Sequence, residues 1–124
     1  MGAYIMKTVA TGIKFDLVAG NGEVVATSEV YASRAACRKG IQSVITNAPA
    51  AKLEDQTLPQ GGLTNPKFEL YRDRAGDYRF RLRSRNGGII AVSEAYSSKN
   101  ACLDGVESVR QNAKTEEIFD FSQK

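Results

Sequence analysis

Phe80-Arg81-Leu82-Arg83-Ser84-Arg85-Asn86-Gly87 and, 65 residues earlier, Phe15-Asp16-Leu17-Val18-Ala19-Gly20-Asn21-Gly22 decide the fold. In each, an alternating stretch runs into Asn-Gly, the pattern of a half-buried strand entering a hairpin. The match extends well beyond the hairpin. Comparing positions 13–57 with those 65 residues later gives 17 identities in 45 aligned positions without a gap. Ordinary composition yields about 3 by chance, because each common residue type supplies only several per cent of a chain. The identities include Ala26/Ala91, Ser28-Glu29/Ser93-Glu94, Tyr31/Tyr96, Ser33/Ser98, Cys37/Cys102, Gly40/Gly105, Asn47-Ala48/Asn112-Ala113 and Asp55/Asp120. The chain is an internal duplication, and a fixed period dictates architecture before any other feature does.

Each copy reads as β-β-β-α-β. In the second, Lys67–Arg72 alternates, Ala75-Gly76-Asp77 turns, and Tyr78–Arg85 alternates with Tyr, Phe, Leu and Ser on one side and four arginines on the other. Successive strand side chains point to opposite faces, so this strand buries one side and wets the other. Asn86-Gly87 predicts a type I′ hairpin, and Gly88–Ser93 makes a third strand. The first copy repeats the plan with strands near 3–8, 13–19 and 23–28. Ser33 and Ser98 are placed as helix N-caps. Apolar residues then recur at 37, 41, 44, 48 and at 102, 106, 109, 113, one helical face. Gly40 and Gly105 interrupt those helices at a cost of about 1 kcal/mol each relative to Ala, which points to close approach of helix and sheet. Ala51–Gln56 and Thr115–Phe121 follow as fourth strands, the last strongly apolar. Leu58–Pro66, with two prolines and two glycines, reads as a linker. The expected organisation is α+β: one domain spanning 1–124, repeat 1 at 1–57, linker 58–66 and repeat 2 at 67–124. Two units sharing a sheet roofed by two helices bury far more than one unit can alone.

Phe80–Gly87, together with Ser93-Glu94-Ala95-Tyr96-Ser97-Ser98-Lys99-Asn100-Ala101-Cys102 and Gly105-Val106-Glu107-Ser108-Val109-Arg110, resembles the YegP-like family. These are small bacterial proteins without an established function. The resemblance spans both copies, and the second is the nearer match. It implies one antiparallel sheet built from two β3-α-β units, with the C-terminal strands exchanged between them. Single-unit members would reach that arrangement by dimerising, this chain by duplication. It supplies no catalytic residues. The first copy departs at Ile13–Val18, which lacks the arginines.

The chain has 17 basic and 14 acidic residues, net +3, divided as +1 over 1–62 and +2 over 63–124. That excess is too mild to mark a dedicated nucleic-acid binder by composition. No apolar run approaches the ~18 residues of a membrane helix, and no secretory or myristoylation signal opens the chain. A cytoplasmic monomer is expected, with no membrane partner. Histidine is absent. This removes the usual neutral-pH general base and commonest metal ligand, and with them Ser-His-Asp and Cys-His nucleophiles and most zinc sites. No cofactor, metal site or catalytic set is expected.

Three features remain as candidate sites. Arg79, Arg81, Arg83 and Arg85 form a basic row that can meet phosphates or an acidic partner. The plainer reading is a solvated face paired with acids such as Asp16, Glu69 or Asp73. Tyr31 with Ser33, and Tyr96 with Ser98, stand at the strand-to-helix corners, where a hydroxyl at a helix N-terminus can hold an anion or simply cap. Cys37 and Cys102 fall on the core side of their helices and read as small hydrophobes. The leading expectation is a non-enzymatic binding or scaffold module. The alternative is binding of nucleic acid or an acidic partner through the arginine face.

Overall fold

The computed structural model describes residues 2–59 and 62–122, so Gln60 and Gly61 of the expected linker lie outside the described residues. The chain forms β1 (Ala3–Val9), β2 (Gly12–Val18), β3 (Val24–Thr27), α1 (Arg34–Asn47), β4 (Lys52–Asp55), β5 (Lys67–Arg72), β6 (Tyr78–Arg83), β7 (Ile89–Val92), α2 (Lys99–Asn112) and β8 (Ile118–Asp120). The eight strands make one sheet in the order β4-β5-β6-β7-β3-β2-β1-β8. The halves meet at β3 and β7 through the pair Thr27–Val92. The last strand of each repeat lies beside the first strand of the other.

The sheet is mixed, which corrects the expectation of an antiparallel one. β4 runs parallel to β5, and β8 parallel to β1. A helix intervenes between the third and fourth strands, so the chain returns along the same direction as the strand it joins, as crossover connections allow.

Both helices cover one face. Tyr4, Met6, Phe15, Leu17, Phe68, Leu70, Phe80 and Leu82 from the sheet join Cys37, Ile41, Val44, Cys102, Val106 and Val109 from the helices in a single buried cluster. Each helix packs on a strand of its own repeat and on one of the other: α1 on β2 and β7, α2 on β6 and β3. Polar bonds cross between repeats as well. Arg34 and Arg38 on α1 pair with Asp120 of β8 at 3.1 and 3.2 Å, and Lys99 on α2 pairs with Asp55 of β4 at 2.9 Å. The Tyr4 hydroxyl donates to the Ala113 carbonyl.

The repeat identities now have physical reasons. Ser33 and Ser98 cap their helices, accepting from the N–H groups of Ala36 and Ala101 at 3.1 Å. Ser28 and Ser93 accept from the N–H groups of Phe15 and Phe80. Asn47 and Asn112 donate to the carbonyls of Ser43 and Ser108. A Cβ on Gly40 would overlap the Tyr31 hydroxyl, and one on Gly105 would meet Tyr96 and Phe80. The close approach is thus to a tyrosine ring lying between helix and sheet.

One local expectation is corrected. The Asn-Gly hairpins are not type I′, because only Gly22 (φ 87°) and Gly87 (φ 91°) have positive φ, while Asn21 and Asn86 do not. Gly22 and Gly87 N–H groups donate to the Ala19 and Ser84 carbonyls, a type I turn followed by a left-handed glycine. The first strands, outside the 13–57 alignment, run at a different offset: Tyr4 faces Leu17 where Phe68 faces Leu82, an offset of 64, because the stretch from Phe68 to Leu82 is one residue longer than that from Tyr4 to Leu17.

Candidate anion-recognition face of the sheet

The face opposite the helices carries no helix among the described residues, and Leu63 reaches it only at the β4 edge. Its side chains come from alternate strand positions, and at the β4–β5–β6 edge they are charged apart from one tyrosine: Glu54 on β4, Lys67, Glu69 and Tyr71 on β5, Arg79, Arg81 and Arg83 on β6. Glu69 stands opposite Arg81 across the β5–β6 pair and beside Glu54 across the β4–β5 pair.

Glu69 is the centre of the cluster. Its Oε1 accepts from Arg81 Nε at 2.6 Å and Arg83 Nε at 2.7 Å. Its Oε2 accepts from Gln56 Nε2 at 3.1 Å and lies 3.4 Å from Lys67 Nζ. Glu54 accepts from Lys67 Nζ at 3.0 Å, the Leu63 N–H at 2.6 Å and Gln56 Nε2 at 2.7 Å. Arg79 Nε donates to Asp73 at 2.8 Å, and the Arg81 guanidinium lies 4.5 Å above the Tyr71 ring.

These bonds set the proton states. Hydrogen bonds from Gln56, Leu63 and Lys67 hold Glu54 down to about 2. Burial alone would push the Glu69 carboxyl up, but donation from Arg81 and Arg83 outweighs it and leaves it below the ordinary glutamate value. The hydrogen bond from Arg79 lowers Asp73 in the same way. At neutral pH all three are ionised acceptors, each with its donors in place.

The arginines of β6 and Lys7 sit higher than the acids they pair with, whereas Lys67, 12% exposed, is sunken beside Glu54 and Glu69. The side chains of Glu69, Glu54 and Asp16 are 5%, 8% and 10% exposed, whereas those of Arg79 and Lys7 are 40% and 45% exposed. Solvent therefore meets cations lying over sunken carboxylates. Arg79 and Arg81 engage their carboxylates through Nε, and their terminal nitrogens have no hydrogen-bond partner among the described residues. The first half reverses the polarity. Asp16 on β2 occupies the position equivalent to Arg81, with Lys7 at 2.7 Å, Lys14 at 3.9 Å and the Thr27 hydroxyl at 2.7 Å.

Arg85 does not belong to the row. β6 ends at Arg83, where the pairing with β7 shifts register. Arg85 lies in the following turn, its N–H donating to Asn47 Oδ1, and lines a shallow cavity with Ser43 and Asn47 of α1. At the strand-to-helix corners, Ser33 and Ser98 serve as caps. Tyr31 and Tyr96 stack on Phe15 and Phe80 at 6.4 Å. Cys37 and Cys102 are buried in the core, and burial pushes both thiols up to about 11.

Several residues of this face were not singled out by sequence reasoning. Lys67 and Tyr71 are readable from β5 alternation. Glu54 and Gln56 are not, because their place follows from β4 docking on the other repeat. Phe119 and Phe121 belong to a segment whose apolar character suggests burial, yet they are 48% and 68% exposed. Of the apolar residues of β8 and the position after it, Ile118 is the one that packs against the core.

An eight-stranded sheet carrying two equivalent helices, with one charged open face, defines a duplicated α+β protein of a recognisable kind. The chain belongs to the family described as a domain of unknown function, DUF1508, whose model matches twice, at residues 10–55 and 73–120. The UPF0339 protein YegP of Yersinia pestis is 33% identical over 123 residues, covering 98% of this chain and 97% of that protein. A UPF0339 protein of Methanosarcina acetivorans is 56% identical over 53 residues, 43% of this chain but 91% of its own length, and so is about one repeat long. The solution structure of the Escherichia coli protein of unknown function yegP superposes with a TM-score of 0.82 at 27% identity, covering 99% of this chain and 95% of that one. None of these relatives carries a described activity. No described helix is long and apolar enough to cross a membrane.

Proposed function

We propose that the chain is a non-enzymatic binding module, a cytoplasmic monomer, that recognises an anionic partner through the open face of its sheet. The observation carrying this reading is the layering of charge: Glu69 and Asp73 fix Arg81 and Arg79 by Nε, and the terminal guanidinium nitrogens are left toward solvent. An arginine anchored at one edge loses less side-chain freedom when its fork meets a phosphate or carboxylate. A non-catalytic role is favoured because the face's carboxylates are ionised and occupied by donors, the thiols are buried with raised pKa, and the chain has no histidine. In the same reading, residues 1–57 and 67–124 are the two halves of a fused dimer that have exchanged their last strands, which the one-repeat relative supports.

Affinity capture from source-cell lysate, with and without nuclease, tests the proposal. A species retained by the parent chain should be lost with Lys7→Glu/Arg79→Glu and kept with Lys39→Glu, a change on exposed helix surface. Equal capture by all three, or turnover of a substrate abolished by a single side-chain change, would refute it.

A further inference from the structure

β4 and β8 hold equivalent places at opposite edges of the sheet, yet their open-face residues differ in kind. Where β4 and the residue after it place Glu54 and Gln56, the other edge places Phe119 and Phe121. Phe119 neighbours Ile5 across the β1–β8 pair and is 48% exposed. The Phe121 N–H still donates to the Met6 carbonyl, so strand alternation carries its 68%-exposed ring to the same side. Edge strands are ordinarily guarded by charge or proline, and β4 obeys that rule where β8 does not.

The pairings place these rings at one end of a single transverse row. Phe119 neighbours Ile5, which faces Asp16, which faces Thr27, which faces Val92, which faces Arg81. Five inter-strand steps of about 4.8 Å span roughly 24 Å. Lys7 and Lys14 flank the aromatic end through Asp16, and Arg79, Arg81 and Arg83 occupy the other. The middle of the row, Thr27 and Val92, is half-buried and carries no charge.

We infer that the open face binds single-stranded nucleic acid across the strands, with Phe119 and Phe121 stacking bases and the lysines and arginines holding phosphates. This rests on the anion-recognition reading above and names its partner. Exposed rings beside exposed cations fit a polymer that alternates aromatic faces and negative charge. Every base offers a face for stacking, so such sites are tolerant of sequence. The span is that of a short site, comparable with the roughly four-nucleotide lower end of OB-fold sites. A duplex keeps its bases stacked inside and leaves the two rings unused. An acidic protein would meet the cations alone.

Fluorescence anisotropy with a labelled 12-nucleotide oligothymidine in 50 mM salt is the test, with a duplex of the same length and poly-aspartate as comparisons. Binding should fall in the ~10⁻⁴–10⁻⁶ M range and weaken with a log–log salt slope of about −2 to −3, equivalent to three or four phosphates. Phe119→Ala/Phe121→Ala should weaken oligothymidine binding at least about tenfold while Phe119→Tyr stays within about threefold. The melting temperature of each variant shows that it is folded, since both rings are largely outside the core. If Arg79→Glu weakens all three polyanions and the phenylalanine variants change nothing, the nucleic-acid inference falls while the anion-recognition face survives. If the oligothymidine does not bind at all, the inference falls outright, and the capture experiment decides separately whether the face has another partner.

Discussion

Arg81→Ala/Arg83→Ala is expected to cost about 3 kcal/mol of folding stability, far more than surface arginines usually contribute. The reason is the state of Glu69 once both are gone. Its side chain is 5% exposed, and Oε1 loses both of its donors, leaving only Gln56 and Lys67 on Oε2. A buried carboxylate without its cations is the costly species, whereas cations without their carboxylate reach water. Glu69→Leu frees Arg81 and Arg83 to swing outward and leaves Lys67 paired with Glu54, so no buried charge is orphaned, and it should cost about 1 kcal/mol or less. Urea denaturation of the two variants at pH 7 checks this asymmetry. Equal losses would show that the arginines and Glu69 interact as an ordinary solvated surface pair.

Phe80→Ala should cost about 4 kcal/mol, and its counterpart Phe15→Ala nearly the same. Phe80 is fully buried, edge-on to Phe68 at 6.0 Å and stacked on Tyr96 at 6.4 Å. Phe15 repeats the arrangement with Tyr4 at 5.8 Å and Tyr31 at 6.4 Å. Truncation removes the ring's transfer free energy and leaves a cavity that Gly105 or Gly40 does nothing to fill. Set against a total of about 5–15 kcal/mol for a domain, either loss is severe. Because each helix packs on a strand of both repeats, each substitution should shift one common unfolding transition with unchanged denaturant slope. A split into two transitions, one unmoved, would show two independent units.

Much of this architecture was legible because it is written in local pattern. Alternation at Tyr78–Arg83, serine caps at Ser33 and Ser98, and the helical spacing of Cys37, Ile41 and Val44 act over a few residues and appear twice. Features set by partners distant in sequence were not readable. The parallel course of β4 and β8 depends on where the chain returns after a helix. Gly40 and Gly105 were visible as a matched oddity, but the ring that requires them is nine residues away in the chain and only the fold brings it there. Alternation placed Arg79, Arg81 and Arg83 on one face of β6 beside Asp73 and Glu69, whereas Asp16, offered as a third acid, pairs with Lys7 and Lys14 instead. Arg85 was misplaced because alternation was carried past the register shift that ends β6. Phe119 and Phe121 look like core residues by composition, and only the edge position of β8 exposes them.

The claim beneath the proposed function is that ionised carboxylates lie under the cations of the open face and hold them in place. Carbon-detected NMR titration of the glutamate side chains measures it directly. Glu54 should titrate at about 2 and Glu69 below the ordinary value of about 4.3. Since both folded values lie below the unfolded ones, their stabilisation is complete above the ordinary glutamate value and is lost as pH falls from there through the folded values. In Arg81→Ala/Arg83→Ala the Glu69 value should rise. Values for Glu54 and Glu69 at or above 4.3 in the parent chain would mean that the carboxylates do not anchor the cations, and the recognition face as described would not exist.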